Sequence, residues 1–235
     1  MDQMQNDIMG YDRAITLFSP DGRLLQVEYA RKTVSQGSAT IGLVGKDSVV
    51  FVADKRLPEV EKLIVPESIE KIFKIDQNIG AAISGMIADG RVLIEKAQLG
   101  AQRDRMTYNE MDILMVIKDI STEMQSYTQW GGARPFGVSI LFGGLRSEKP
   151  VLFMLEPSGI FFQYKAIAIG ENSVEINKHL EAGFKENMDS DSLIALAIKA
   201  LKSGSIKLSA DRFEIAVVDK SGFKKLGKEE VGKYL

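Results

Sequence analysis

A chain of 235 residues with 45% hydrophobic content carries enough apolar surface for one substantial core, and its 30 Lys and Arg against 32 Asp and Glu leave a formal charge of -2. No global field of either sign draws it to nucleic acid or to an anionic membrane. The sequence has no cysteine, which excludes disulfides, thiolate metal sites and a Cys nucleophile and is compatible with a cytoplasmic location.

Met1 to Gly10 carries two Asp and no Lys or Arg, the opposite of the basic start of a signal peptide, so export is not expected. Ser19-Pro20-Asp21-Gly22 reads as a turn, because Pro presets φ, Asp bonds locally and Gly accepts positive φ. Beyond it Leu24, Val27, Ala30 and Val34 recur at helical steps, with Arg23, Glu28, Arg31 and Lys32 on the polar face and Gly37 as the stop. Ala39 to Val44 and Ser48 to Ala53 switch to β-branched strands around Gly45-Lys46-Asp47, a hairpin. Lys71 to Asp76 and Ile79 to Ser84 follow as strands closed by Gly85. A helix pair is expected next, Ala88 to Arg103 and Tyr108 to about Tyr127, the second with Ile113, Val116, Ile117, Ile120 and Met124 on one face.

After the glycine-rich loop Trp130 to Pro135, strands are expected at Gly137 to Phe142, Val151 to Leu155, Ile160 to Tyr164 and Ala166 to Ile169, with a turn at Glu156-Pro157-Ser158-Gly159. None of these apolar runs approaches the roughly 20 residues that span a bilayer. Helices at Ser173 to Lys185 and Ser190 to Ser203, a strand at Phe213 to Asp219 and a short helix near Glu229 complete the chain. Strands, a helix pair, strands, a second helix pair and a strand in that order argue for a layered α+β sandwich and against an alternating parallel sheet.

Few residues offer chemistry. His179, the single histidine, reads as a helix-surface residue, and no G-x-S-x-G elbow accompanies it. Gly80 to Gly85 has phosphate-loop spacing, but Met86-Ile87 stands where Lys and a hydroxyl residue belong. Asp189-Ser190-Asp191 sits where a helix needs a cap and lacks the Gly and terminal acid of a calcium loop. The junction Gly37-Ser38-Ala39-Thr40 carries two readings. A hydroxyl residue opening a strand could, once freed, use its own α-amine as base, with Asp54 and Lys71 tuning charge around it; or the junction is an ordinary helix-to-strand turn.

Tyr11-Asp12-Arg13-Ala14-Ile15-Thr16, Phe18-Ser19-Pro20-Asp21-Gly22-Arg23 and Gln26-Val27-Glu28-Tyr29-Ala30 resemble the signature of archaeal-like proteasome core-particle α-type subunits. The resemblance continues through Ser68-Ile69-Glu70-Lys71-Ile72, Ser84-Gly85, Ala88-Asp89-Gly90-Arg91, Gly131 to Gly137 and Ile169-Gly170, covering nearly the whole chain. It implies a four-layer αββα sandwich of the amino-terminal-nucleophile hydrolase type with an extra amino-terminal helix. The chain is then one domain, with gate extension and first helix over residues 1–37 and the sandwich over 38–235. It also implies a non-catalytic subunit in a seven-membered, homomeric outer ring, partnered by other α subunits and by β subunits, that gates the entry of unfolded polypeptides in ubiquitin-independent or regulated protein degradation. No cofactor, metal, nucleic acid or membrane is expected. The runner-up is a peptidase subunit processed before Ser38.

Carried over residue by residue, the resemblance makes Tyr11, Asp12, Arg13, Pro20 and Tyr29 the gate, although simple packing at a helix start is the plainer reading of that cluster. Activator ATPases of the family insert a hydrophobic-Tyr-any tail between neighbouring subunits, where Lys71 matches the residue that receives the terminal carboxylate. Gly22, Leu24, Glu28 and Gly85 match other parts of that pocket, while Glu28 is equally an i to i+4 ion-pair partner for Lys32. Gly131, Gly132 and Arg134 fall in the entrance loop, where Trp130 replaces a common Tyr and loses the phenol's acceptor. Lys233-Tyr234-Leu235 has the penultimate Tyr of an activator tail but reads as a helix end.

Overall fold

The computed structural model describes residues 16–56, 63–108, 111–202 and 209–235. Ser19-Pro20-Asp21-Gly22 forms the expected turn, with the Gly22 amide donating to the Ser19 carbonyl at 2.8 Å and Gly22 at φ 74°. Helix α1 (Leu25–Gln36) follows, burying Val27, Ala30 and Val34 and stopping at Gly37.

The strand β1 (Thr40–Val44) pairs antiparallel with β2 (Val49–Asp54) as the expected hairpin. Next come β3 (Ile72–Asp76) and β4 (Ile79–Gly85), then α2 (Ile87–Tyr108) and α3 (Ile113–Ser126). Two boundaries differ from the sequence pattern. Helix α2 runs past Arg103, carried by an Arg105–Asp76 ion pair and a buried Asp104. Helix α3 starts only at Ile113, because the Asp112 carboxylate accepts the Leu114 amide at 3.0 Å and so caps the helix there.

Strands β5 (Val138–Arg146), β6 (Lys149–Leu155), β7 (Phe161–Tyr164) and β8 (Ala166–Ile169) precede α4 (Ser173–Gly183) and α5 (Ser190–Lys202). The β5–β6 hairpin is longer than expected and turns through Ser147 and Glu148 at φ 48° and 63°. Strand β9 (Phe213–Asp219) is followed by β10 (Gly222–Lys225), which the sequence reading lacks, and by α6 (Lys228–Gly232).

Among the described residues the strands form two five-stranded sheets, ordered β10-β9-β2-β1-β8 and β3-β4-β5-β6-β7. Side chains alternate across each strand. In β2, Val50 and Val52 meet Leu193, Ala197 and Ile198 of α5, whereas Val49, Phe51 and Ala53 point inward to Leu141 and Leu152 of the facing sheet. In the second sheet Ile79, Ala81 and Ile83 pack under Leu93, Ile94 and Ile117 of the α2–α3 pair. Helix pair, sheet, sheet, helix pair is the αββα order, and α1 lies outside it against β4 and β5. Both faces of the central strands are buried, which is why they read as nearly continuous apolar runs.

Glycine sets the approach of α1 to the sandwich. A Cβ on Gly37 would stand 2.3 Å from the Gly85 amide nitrogen, and Gly85 itself turns through φ 113°. The end of α1 and the end of β4 thus touch backbone to backbone, bringing Ser38 to the mouth of the sandwich.

Candidate functional site

At that mouth the structure brings Ser38, Asp54 and Lys71 together, as the junction reading requires. Lys71, 2% exposed, reaches up from the start of β3. Its Nζ donates to the Ser38 carbonyl at 2.7 Å, to Ser38 Oγ at 2.8 Å and to the Asp54 carbonyl at 3.1 Å. Ser38 Oγ donates to the same Asp54 carbonyl at 2.6 Å, and Ser84 Oγ donates to the Ser38 carbonyl at 2.9 Å. It is the Asp54 backbone, not its carboxylate, that faces the lysine. The carboxylate turns to Arg212, which grips it in a fork of 2.7 and 2.8 Å, and it also accepts the Arg56 amide at 2.9 Å.

A second buried acid supports the lysine from below. Glu214, on β9, accepts the Lys71 and Ile72 amides at 2.8 and 3.1 Å and pairs with Lys225 of β10. Burial opposes the charge on Lys225, but Glu214 and then Glu70 hold its ammonium above the ordinary range. On Lys71 burial wins: it pushes the ammonium down from 10.5 to about 7, against the pull of Asp54 and Glu214 and with a further push from Arg56.

This cluster has an acid, a lysine and a hydroxyl, but no free α-amine beside the hydroxyl. The Ser38 nitrogen sits in the peptide bond to Gly37, whose own amide donates to the Val34 carbonyl at 3.0 Å and whose carbonyl accepts the Glu171 amide at 2.7 Å. The helix leading into Ser38 is packed on the body of the protein through three buried side chains. The arrangement therefore holds charge and backbone in place without presenting an amine base.

The remaining predicted site residues divide between the two ends of α1. Gly85 lies beside Ser38 at the helix's C-terminal end. Gly22, Leu24 and Glu28 lie at its N-terminal end, lining a groove with Phe18, Arg31 and Gln129. Glu28 pairs with Arg31 at 3.2 Å, one residue short of the expected Lys32, and Arg31 bridges onward to Glu156 at 2.9 Å. Arg31 wins because its fork can hold two carboxylates at once. Pro20 and Tyr29 are both exposed near this end; Tyr11, Asp12 and Arg13 lie outside the described residues.

In the loop after α3 Gly131 and Gly132 are exposed, Gly132 at φ 87°, and Trp130 lies against Tyr127 with ring centroids 5.3 Å apart. Arg134 is a strut. It holds Asp89 of the first turn of α2 at 2.6 and 2.8 Å, and Asp89 also accepts the Gly137 amide at 2.8 Å. Burial works against that carboxylate, but Arg134 and the Gly137 amide more than offset it and hold Asp89 below the ordinary carboxylate range. Asp89→Asn is expected to cost roughly 1–3 kcal/mol by leaving the guanidinium and an amide poorly matched; a fall in Tm with a changed Trp130 emission would register it.

The other sequence candidates find structural roles. Gly80 to Gly85 is part of strand β4, and Asp189 caps α5 by accepting the Ser192 amide at 2.8 Å. His179 stands on the surface of α4, 3.8 Å from Glu175. Tyr234 donates to Asp191 at 2.6 Å and Leu235 packs on the core below α5, so the chain's last residues fold back onto the domain. Among the described residues no helix is long and apolar enough to cross a membrane, and no cluster of metal-ligating side chains occurs. Arg212 and Glu214 escaped sequence reading altogether. Their charges stand in or beside an apolar strand, and such buried charge was the one available signal.

Fold and site define a sandwich of the amino-terminal-nucleophile type whose hydroxyl residue is locked inside the chain. Comparison with known proteins narrows this. Residues 34–218 match the family model "Proteasome subunit", and residues 11–32 match the N-terminal signature model of A-type proteasome subunits. The chain is 46% identical over 231 residues to the proteasome alpha subunit of Methanosarcina acetivorans, covering 97% of this chain and 93% of that one. It is 47% identical over 223 residues to that of Methanopyrus kandleri (94% and 90% covered) and 47% identical over 230 residues to that of Pyrococcus abyssi (96% and 87% covered). The chain belongs to the proteasome subunit family, as a non-catalytic subunit of the α type that assembles with other proteasome subunits.

Proposed function

We propose that the chain builds a seven-membered outer ring on proteasome β subunits, gates the entry of unfolded polypeptides and docks the tails of an activator ATPase, in the cytoplasm. In this reading the chain is one domain, residues 1–37 serving as gate extension and first helix and 38–235 as the sandwich. The observation that carries it is the division of the pocket residues along α1. A helix of 12 residues is about 18 Å long. Lys71 and Gly85 belong to one end of it and Gly22, Leu24 and Glu28 to the other, so the three residues of a hydrophobic-Tyr-any end, which span at most about 11 Å, can touch both groups only where one copy's first group meets the next copy's second. A pocket between ring neighbours has that form. Tyr11, Asp12 and Arg13 precede the exposed pair Pro20 and Tyr29 and act with them as the gate, while Gly131 and Gly132 border the pore, braced by Arg134.

Deleting residues 1–13 tests the gate. Particles reconstituted with a β subunit from the truncated chain are expected to hydrolyse short peptides several-fold faster than those from the full chain, with the same β-subunit content; equal rates would refute the gate. Intact mass of the assembled subunit should retain residues before Ser38. A mature chain starting at Ser38 would revive the peptidase reading.

A further inference from the structure

Lys71 has three N–H groups, and Ser38 and Asp54 oxygens take all three at 2.7, 2.8 and 3.1 Å. A carboxylate arriving from outside finds no free donor on it. Beside the lysine stands a second cation, Arg56, with its side chain 46% exposed. It is close enough that its charge pushes the Lys71 ammonium down. Its backbone is tied to the Asp54 carboxylate, and its guanidinium reaches the Gln36 carbonyl at the end of α1. The same guanidinium is paired with Glu171, whose side chain is 49% exposed and whose amide is fixed to the Gly37 carbonyl at 2.7 Å.

Arg56 and Glu171 thus face each other across Gly37-Ser38, from the loop after β2 and the loop after β8. Both are anchored through their backbones on either side of the residue that Lys71 holds. Glu171 presents to Arg56 the group an incoming chain terminus would present, a carboxylate.

We propose that Arg56 is the outer cation of the carboxylate-docking site and that Glu171 is its built-in competitor, displaced from Arg56 when a peptide with a free C-terminal carboxylate enters toward Lys71. This rests on the docking reading above. Arg56 gives one terminal nitrogen to the Gln36 carbonyl and the other to Glu171, so a terminal carboxylate gains a bidentate hold on it only by displacing Glu171. The exchange replaces one exposed ion pair by another and leaves the incoming group next to Lys71, where exclusion of water strengthens its attraction. Glu171 in this way sets a threshold that a tail must beat, without touching the tail's side chains.

The probe is a seven-residue peptide ending in hydrophobic-Tyr-any, dye-labelled at its amino end, titrated by anisotropy into assembled particles made with wild-type, E171Q, R56Q or Lys71→Met subunits. Its C-terminal amide serves as control. E171Q is expected to tighten binding of the free-acid peptide about two- to five-fold, the weight of an exposed ion pair, and to leave the amide unchanged. R56Q is expected to weaken the free acid and to abolish the gain from E171Q in the double variant. Unchanged or weaker binding with E171Q, while Lys71→Met still reduces it, overturns the competitor and keeps the docking site. Binding unaffected by Lys71→Met in intact particles overturns the docking site, and the competitor with it.

Discussion

Replacing Arg212 by Met is expected to destabilise the chain by about 3–5 kcal/mol, the usual cost of stripping one partner from a buried ion pair. Asp54 is 2% exposed, and Arg212 supplies both of its charge-assisted bonds at 2.7 and 2.8 Å. Without them the carboxylate retains the Arg56 amide, a neutral donor. Lys71 cannot step in, because its Nζ is held by carbonyl and hydroxyl oxygens on the other side of the Asp54 backbone. The penalty belongs to an orphaned charge, so Asp54→Asn on the Arg212→Met background should restore a large part of the loss. Asp54→Asn alone should cost less than Arg212→Met, since the guanidinium left behind is 24% exposed and water can reach it. Urea unfolding at one protein concentration measures all three. A loss below about 1 kcal/mol for Arg212→Met, within the range of ordinary surface changes, would show that the pair is not what holds the end of β2.

The layered architecture was legible because its period was legible. Val49 to Ala53 and Ile215 to Val218 are apolar on both faces, α3 shows one stripe, and Gly37 and Gly159 stand at real stops, Gly159 at φ 84°. What failed was local. Ser147-Glu148 turns through positive φ without Gly or Asn, so the β5–β6 hairpin looked shorter than it is. Strand β10 shows only Gly-Phe-Lys-Lys, too short and too polar to announce itself, and it exists because β9 offers an edge and Lys225 finds Glu214. Helix α2 outran its apolar pattern on the strength of contacts such as Arg105 with Asp76, which no periodicity records.

The site was half legible in the same way. Ser38, Asp54 and Lys71 stand out by spacing and residue type, and they do converge. Their orientations were not readable. The Asp54 carboxylate faces away from the lysine toward an arginine 158 residues further on, and Glu28 chose Arg31 because Glu156 offered that arginine a second anion. Each of these is a choice between partners brought together by the tertiary fold, and a chain read in one dimension does not contain the competition.

The lysine also makes the docking proposal depend on pH. Folding takes Lys71 from 10.5 to about 7. Below pH 7 the amine is protonated in both states and its burial cost is carried in full. Between pH 7 and 10.5 the unfolded chain holds one more proton than the folded one, so stability rises with pH across that window, on the order of 4–5 kcal/mol in all, and is level above it. Lys71→Met fills the same space without the charge. Its carbonyl partners keep other donors, with Ser84 on Ser38 and Ser38 on Asp54, so the variant is expected to fold and to lose this rise. Docking runs the other way. A carboxylate prefers the ammonium form, which Asp54 and Glu214 favour while burial and Arg56 resist it. Tail binding to wild-type particles is therefore expected to hold below pH 7 and to weaken as pH climbs past it, with a proton taken up on docking in buffers near pH 8. The Lys71→Met particle should show weak binding, no stimulation by a tail-bearing ATPase and a flat profile over the same range. Titration calorimetry in two buffers of different ionisation enthalpy reads the proton directly. Tail binding by wild type that is independent of pH from 6 to 9 would show that the Lys71 charge takes no part in docking.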